Sequence, residues 1–273
     1  MPTRPATAEA APLAAPRLGG GGRRLRALWR AMRMLLHVLA GLSTIKFRFA
    51  KLTPAEREQR VQAWARQALD LMAIELQLRG PTPRRGPLLL VINHVSWLDI
   101  LAIHGACYCR FVSKADIRRW PLLGSLVTGA GTLYVERESR RDAMRVVHRM
   151  AERLAEGEVL AVFPEGTTSE GRELLPFHGN LLQAALSSAS PVLPIALQFF
   201  DRASRDLSLA PAYIGDDHLL NSMWRTFCTD GLVARLSFGE PQMAQGRDRR
   251  QWATDLHDSV KTMMLERLRF DSD

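Results

Sequence analysis

The stretch Pro87-Leu88-Leu89-Leu90-Val91-Ile92-Asn93-His94-Val95-Ser96-Trp97-Leu98-Asp99 decides how the rest of the chain is read. Its apolar run, Pro87 to Ile92, reads as a buried strand, and the residues after Ser96 read as the first turn of a helix. An imidazole at such a strand-to-helix turn stands exposed above a sheet edge, where substrates reach it. Inside one continuous helix, two residues five apart would sit ~140° apart on different faces. His94 and Asp99 therefore meet only if His94 precedes the helix and Asp99 lies in its first turn. Ser96-Trp97-Leu98-Asp99 also fits a capping box. Taken alone, the stretch is open between a cap beside a polar loop histidine and a reactive His–carboxylate pair.

Outward from this stretch, strand and helix patterns alternate. Strands are expected at Pro87–Asn93, Arg110–Ser113, Thr132–Val135, Val159–Phe163, Val192–Gln198, Ala212–Ile214 and Val233–Phe238. Helices are expected at Trp97–Ala106, Arg140–Glu156, Gly179–Ala189, Asp217–Phe227 and Arg247–Phe270. Such alternation predicts an α/β fold with a mostly parallel central sheet and helices on both faces. Upstream, Pro54 to Arg79 reads as one long amphipathic helix with Val61, Trp64, Ala65, Ala68, Met72 and Leu76 on a stripe, broken by Gly80-Pro81-Thr82-Pro83. The expected organisation is a disordered tail over 1–22, membrane-associating helices over 23–80 and the α/β domain over 81–273.

The charge is distributed unevenly. Residues 1–60 hold 12 Lys and Arg against 3 Asp and Glu, which leaves 25 of each for residues 61–273 and places the whole net charge of +9 at the N-terminus. Nucleic-acid binders carry basic charge on the folded face that reads the nucleic acid, and here the body is neutral, so a nucleic-acid partner is not expected. The charge accompanies apolar residues instead. Arg23, Arg26, Arg30 and Arg33 recur at helical spacing opposite Leu25, Leu28, Trp29, Met32, Leu35, Leu36 and Leu39. Met34 to Ile45 follows, 12 residues without formal charge. A full span takes about 20 apolar residues. The pattern thus predicts an interfacial or re-entrant anchor on an anionic membrane surface, with a helix packed on the domain core as the competing expectation. Three cysteines, Cys107, Cys109 and Cys228, fit a reducing compartment and buried strand thiols better than disulfides or zinc.

Four stretches stand at predicted strand ends: Asn93-His94 with Asp99; Gly131-Thr132-Leu133-Tyr134-Val135-Glu136-Arg137, with Lys114 before it; Phe163-Pro164-Glu165-Gly166-Thr167; and Val192-Leu193-Pro194-Ile195. Ligands of open α/β sheets bind beyond the carboxyl ends of strands, so these stretches can converge on one crevice. Each alone has an ordinary structural explanation: a solvated arginine, a strand-ending Gly turn, or a proline at an edge or bulge.

Together, in this order and spacing, His-x4-Asp, G-T-L-Y-V-E-R, F-P-E-G-T and V-L-P-I resemble the four motifs of the glycerolipid acyltransferases, in particular the 1-acylglycerol-3-phosphate acyltransferases. The resemblance covers roughly Pro87 to Gln198. It implies transfer of a fatty acyl group from acyl-CoA or acyl carrier protein to a lysophospholipid hydroxyl at a membrane surface. It further implies His94 and Asp99 as the catalytic pair, Arg137 at the acceptor, and Glu165, Gly166 and Thr167 at the glycerol or acceptor site. Gly131, in the motif that carries Arg137, is implied among the substrate-binding residues as well. Lys114 and Arg172 are weaker candidates for the acceptor phosphate. Related enzymes often carry Lys where His178 stands, which leaves the head group open between lysophosphatidate and another lysolipid such as lyso-ornithine lipid.

The residues support the same chemistry directly. A lipid alcohol is a poor nucleophile near neutral pH, and histidine is suited to take its proton. A carboxylate on the other ring nitrogen fixes the tautomer. No G-x-S-x-G elbow is present, so direct transfer is expected over a covalent acyl-enzyme. No metal or cofactor is called for; the thioester is a co-substrate. The expected location is the cytoplasmic face of the inner (plasma) membrane, held by residues 23–50. A non-catalytic lipid-binding protein is the rival reading.

Overall fold

The computed structural model describes residues 21–135 and 140–266, with Lys114 and positions 135, 140, 141 and 143 described by backbone alone. Residues 1–20 of the expected tail and Arg137 lie outside the described residues, while Gly21 and Gly22, expected in the tail, already belong to a helix.

The described residues open with α1 (Gly21–Phe47) and α2 (Pro54–Leu71). Thr53 caps α2 through a capping box with Glu56, and Pro54 occupies its first turn. The edge strand β1 (Ile74–Arg79) follows, then β2 (Leu88–Ile92). Next come α3 (Leu98–Ala106), β3 (Arg110–Lys114), α4 (Leu123–Gly129) and β4 (Leu133–Val135). The remaining elements are α5 (Arg140–Ala155), β5 (Val159–Val162), α6 (Leu182–Ser187), β6 (Val192–Asp201), α7 (Leu219–Phe227), β7 (Leu232–Phe238) and α8 (Arg249–Leu265).

The seven strands form one sheet in the order β1-β7-β6-β2-β5-β3-β4. Every pairing is parallel except β6 with β7. β2, whose five residues are all buried, is near the centre. Its Leu88, Leu90 and Ile92 pack with α2, α3 and α7 on one face. Leu89 and Val91 pack with Val146, Met150 and Leu154 of α5, Leu182 of α6 and Trp252 and Leu256 of α8 on the other. Burying each such side chain stabilises the fold by about 1.5–3 kcal/mol. The run needs apolar residues at every position because both faces are covered.

Five expectations are corrected. The helix read from Pro54 to Arg79 ends at Leu71, and Ile74–Arg79 is a sheet strand, so the sheet takes in residues ahead of 81. Ala73 makes the break with φ +59°. Ala212–Ile214 is not a strand; it is an irregular segment bonded to the His94 turn, with the Tyr213 N–H donating to the Val95 carbonyl at 3.2 Å. Pro194 lies in an interior strand rather than at an edge: β7 ends at Phe238 opposite Ile195, so no partner strand asks Pro194 for an N–H. The three cysteines are free and buried but lie outside the strands.

The fifth correction concerns the orientation of α1. Its arginines do not form one outward face. Arg30 is buried, and its guanidinium donates to the carbonyls of Phe227 (2.9 Å) and Thr229 (2.7 Å). Arg23 and Arg26 both pair with Asp230. The leucines face outward instead: Leu25, Leu28, Trp29, Met32, Leu35, Leu36 and Leu39 are all exposed, Leu25 by 72%. Ala27, Met34 and Val38 are the apolar residues α1 buries against the domain. No helix among the described residues is long and apolar enough to cross a membrane.

Candidate active site

The site is built at the carboxyl edge of the sheet, where β2 and β5 lie side by side. β2 is ended by Asn93, whose buried amide donates to the Leu197 carbonyl (2.9 Å) and accepts from the Leu197 N–H (2.7 Å). The side chain thus substitutes for a ladder rung and holds the start of the turn against β6. The sequence reading gave Asn93 no role of its own. An Asn closing an apolar run is the signal that marks it.

His94 follows, outside α3, and Asp99 lies in the first turn of α3. Nδ1 of His94 is 2.6 Å from Asp99 Oδ2. The same oxygen accepts the N–H groups of Val95 (2.7 Å) and Ser96 (3.0 Å). Asp99 therefore caps the turn and partners the imidazole at once, so the two readings of this stretch are compatible. Ser96 itself is drawn into the interior, where its hydroxyl donates to the Pro211 carbonyl. Asp99 is completely buried, and the His94 side chain is 21% exposed. The imidazole stacks on Phe163 at a 3.9 Å centroid distance and 10° between planes. With Nδ1 engaged by the carboxylate, Nε2 is the open nitrogen among the described contacts.

β5 delivers Phe163-Pro164-Glu165-Gly166 to the same place. Glu165 is buried, at 4% exposure. Its Oε1 accepts the His94 N–H (2.7 Å) and its Oε2 the Leu175 N–H (3.0 Å). Burial pushes its carboxyl up to about 7, against the pull of those two N–H donors. Gly166, at φ +72°, closes a tight turn, with its N–H donating to the Phe163 carbonyl at 3.2 Å. Thr167 is exposed beside it. The structure thus brings His94, Asp99, Glu165, Gly166 and Thr167 into one neighbourhood. Lys114 ends β3 at the same edge.

Gly131 is not part of it. It precedes β4, at the amino end of the parallel strands, where the Arg110 Nε–H donates to its carbonyl (2.6 Å) and Arg110 pairs with Glu158 (2.8 Å). A Cβ at Gly131 would lie 2.9 Å from the Tyr108 hydroxyl, which explains the glycine structurally. Arg172 is exposed and pairs with Glu170 at 3.4 Å. The backbone N–H of His178 donates to the Pro164 carbonyl (2.9 Å). Among the described residues, no group of three or more His, Cys, Asp or Glu is placed to hold a metal ion.

A His–carboxylate pair thus stands at the carboxyl edge of a helix-covered, mostly parallel sheet. The family model described as Acyltransferase matches residues 73–198, a segment holding both the turn and the Glu165 loop, and the chain belongs to the acyltransferase family. It is 36% identical to a lyso-ornithine lipid O-acyltransferase of Pseudomonas aeruginosa over 89% of this chain and 95% of that protein. It is 32% identical to a 1-acyl-sn-glycerol-3-phosphate acyltransferase of Neisseria gonorrhoeae over 78% of this chain and 84% of that protein. The fold is that of the crystal structure of the 1-acyl-sn-glycerophosphate acyltransferase PlsC from Thermotoga maritima, with a TM-score of 0.68 over 91% of this chain and 98% of that one at 21% identity.

Proposed function

We propose that this protein transfers a fatty acyl group from acyl-CoA or acyl carrier protein to the free hydroxyl of 1-acyl-sn-glycerol 3-phosphate, giving phosphatidate, with His94 as general base. The observation that carries the mechanism is the 2.6 Å contact of His94 Nδ1 with Asp99, which leaves Nε2 to face substrate. In the proposed step, Nε2 takes the acceptor's O–H proton as that oxygen bonds to the thioester carbonyl carbon. The tetrahedral intermediate collapses with cleavage of the C–S bond, and the imidazolium returns its proton to the departing thiolate. Asp99 holds the tautomer and stabilises the imidazolium. The reaction as written needs no cofactor beyond the thioester. Arg137, and more weakly Lys114, are proposed to meet the acceptor phosphate.

Lyso-ornithine lipid is the second acceptor, favoured by the 36% identity over almost the whole of the Pseudomonas enzyme. Activity at the cytoplasmic face of the inner membrane is the proposed setting, with α1 seated on anionic lipid. In support, eight large apolar side chains of α1, Phe47 among them, face outward, while its own Arg30 is turned inward. A row of exposed Leu, Met and Trp on a helix of basic sequence suits the boundary of headgroups and acyl chains.

A donor-and-acceptor panel tests the reading: purified protein in nanodiscs, acyl-CoA or acyl carrier protein as donor, and lysophosphatidate or lyso-ornithine lipid as acceptor, scored by product lipid. Phosphatidate formation is expected. Tight lipid binding with no turnover of either acceptor would favour a non-catalytic lipid-binding protein.

A further inference from the structure

We propose that Glu165 is a positioning residue for His94 rather than a ligand of the acceptor: its carboxylate ties the His94 peptide N–H to the Leu175 peptide N–H and so fixes where the imidazole stands. The proposal rests on the reading that His94 is the base, and it changes the role expected of Glu165 from the motif.

Three observations carry it. The first is occupancy. Both carboxylate oxygens are already engaged, Oε1 by His94 N–H at 2.7 Å and Oε2 by Leu175 N–H at 3.0 Å. The side chain is buried, so an acceptor hydroxyl would have to displace one of these charge-assisted bonds. The second is how completely one loop grips His94. The loop that follows β5 holds the His94 N–H through Glu165 and the His94 carbonyl through the Ser169 N–H at 2.8 Å. Phe163, two residues before Glu165, lies flat on the imidazole at 3.9 Å. That loop therefore fixes both peptide groups and one ring face, and Asp99 fixes the ring edge. The third is span. Leu175 lies ten residues beyond Glu165, so the carboxylate joins the start of the loop, its later part and the His94 turn at a single point. A displacement of the base by about 1 Å is enough to cost on the order of a hundredfold in rate, so a group that sets its position acts on turnover, not on affinity.

The ionised form is the one that accepts both N–H groups; once protonated, one oxygen becomes a donor and an amide loses its partner. The charges bearing most on Glu165 are His94 and Asp99 from the β2–α3 turn. On its own loop the titratable and charged groups are Glu170, Arg172, Glu173 and His178.

The test is Glu165→Gln in the full chain, assayed at pH 8 for kcat and for the KM of acceptor and donor, beside Glu165→Asp and His94→Ala. The amide of Gln offers one accepting oxygen, and Asp is one methylene too short to reach both amides. Both variants are expected to lose about 10- to 100-fold in kcat while each KM stays within about twofold. A tenfold rise in acceptor KM with kcat preserved would make Glu165 an acceptor ligand and overturn the inference, as would no change in either constant. An active His94→Ala would overturn the general-base reading itself, whereas an inactive His94→Ala with a fully active Glu165→Gln would overturn only this inference. Should the variants fail to accumulate, amide hydrogen exchange of the unaltered protein decides. Peptides covering His94 and Leu175 are expected to show matching protection at pH 8, after correction for intrinsic exchange; protection in one peptide alone, or in neither, overturns the inference.

Discussion

Asp99 Oδ2 lies 2.6 Å from His94 Nδ1 and, from the same position, accepts the N–H groups of Val95 and Ser96. One oxygen thus sets the tautomer of the imidazole and the shape of the turn that carries it. Asp99→Asn removes the charge and puts an amide in its place. We expect acyl transfer to fall by about 10²–10⁴-fold with the acceptor KM little changed. Asp99→Ala leaves three buried donors without this partner and is expected to cost about 2–4 kcal/mol of stability besides. Steady-state kinetics and urea unfolding of both variants check the two effects separately.

Gly166 and Gly171 both take the left-handed conformation, at φ +72° and +71°, but their surroundings differ. A Cβ at Gly166 would meet His178 at 3.6 Å, an ordinary contact, whereas one at Gly171 would meet Val95 of the His94 turn at 2.9 Å. Gly166→Ala is expected to cost about 1–2 kcal/mol, the backbone strain alone. Gly171→Ala is expected to cost about 2–4 kcal/mol, because Val95 must shift as well. It is also expected to lose more activity, since the displaced residue adjoins His94. Thermal midpoints should separate by about 2–4 °C for each kcal/mol.

The outward leucines of α1 and its inward Arg30 predict opposite phenotypes. Leu28→Ser with Leu36→Ser removes apolar surface worth about 1.5–3 kcal/mol per residue from the proposed lipid contact. Binding to anionic vesicles should weaken by at least about a hundredfold with the melting temperature unchanged. Arg30→Met instead breaks the two bonds to the Phe227 and Thr229 carbonyls and should lower stability by about 1–3 kcal/mol. Vesicle flotation and thermal unfolding of the two variants distinguish these outcomes.

Burial raises Glu165 from the ordinary 4.5 to about 7. Between those values the folded chain keeps a proton that the unfolded chain has released, so this group's contribution to stability falls as pH rises from 4.5 to 7 and is level on either side. The loss is on the order of 3 kcal/mol. Urea unfolding at pH 4 and pH 8 should therefore show Glu165→Gln gaining about that much relative to the parent protein on going to pH 8. An equal difference at both pH values would contradict the burial argument.

How much of this was legible in the sequence follows from which signals compete. The His94–Asp99 geometry was readable because a five-residue spacing across a strand-to-helix boundary permits one meeting only. The sheet was readable wherever both faces are covered, since β2, β5 and β6 are then apolar runs. β1 was missed although Ile74-Glu75-Leu76-Gln77-Leu78-Arg79 alternates strictly, because Met72 and Leu76 also continue the helical stripe of α2. The decisive break at Ala73, a non-glycine with positive φ, leaves no signal in composition. The inward Arg30 was hidden because its partners are backbone carbonyls of Phe227 and Thr229, 197 and 199 residues away. Gly131 was placed with the acceptor residues because it shares a motif with Arg137, yet β4 puts it at the amino end of the sheet, away from His94. The clamp on Glu165 was likewise out of reach, since one of its two donors is the N–H of Leu175, a residue with no mark of its own.

The central claim is that His94 takes the acceptor's proton. Its most direct test is the turnover of purified His94→Ala with lysophosphatidate and acyl-CoA in nanodiscs, scored as phosphatidate formed per protein, beside a thermal unfolding curve. A loss of at least about a thousandfold is expected, with the unfolding midpoint within a few degrees of the parent. Phosphatidate formation at the parent rate by a folded His94→Ala protein would contradict it.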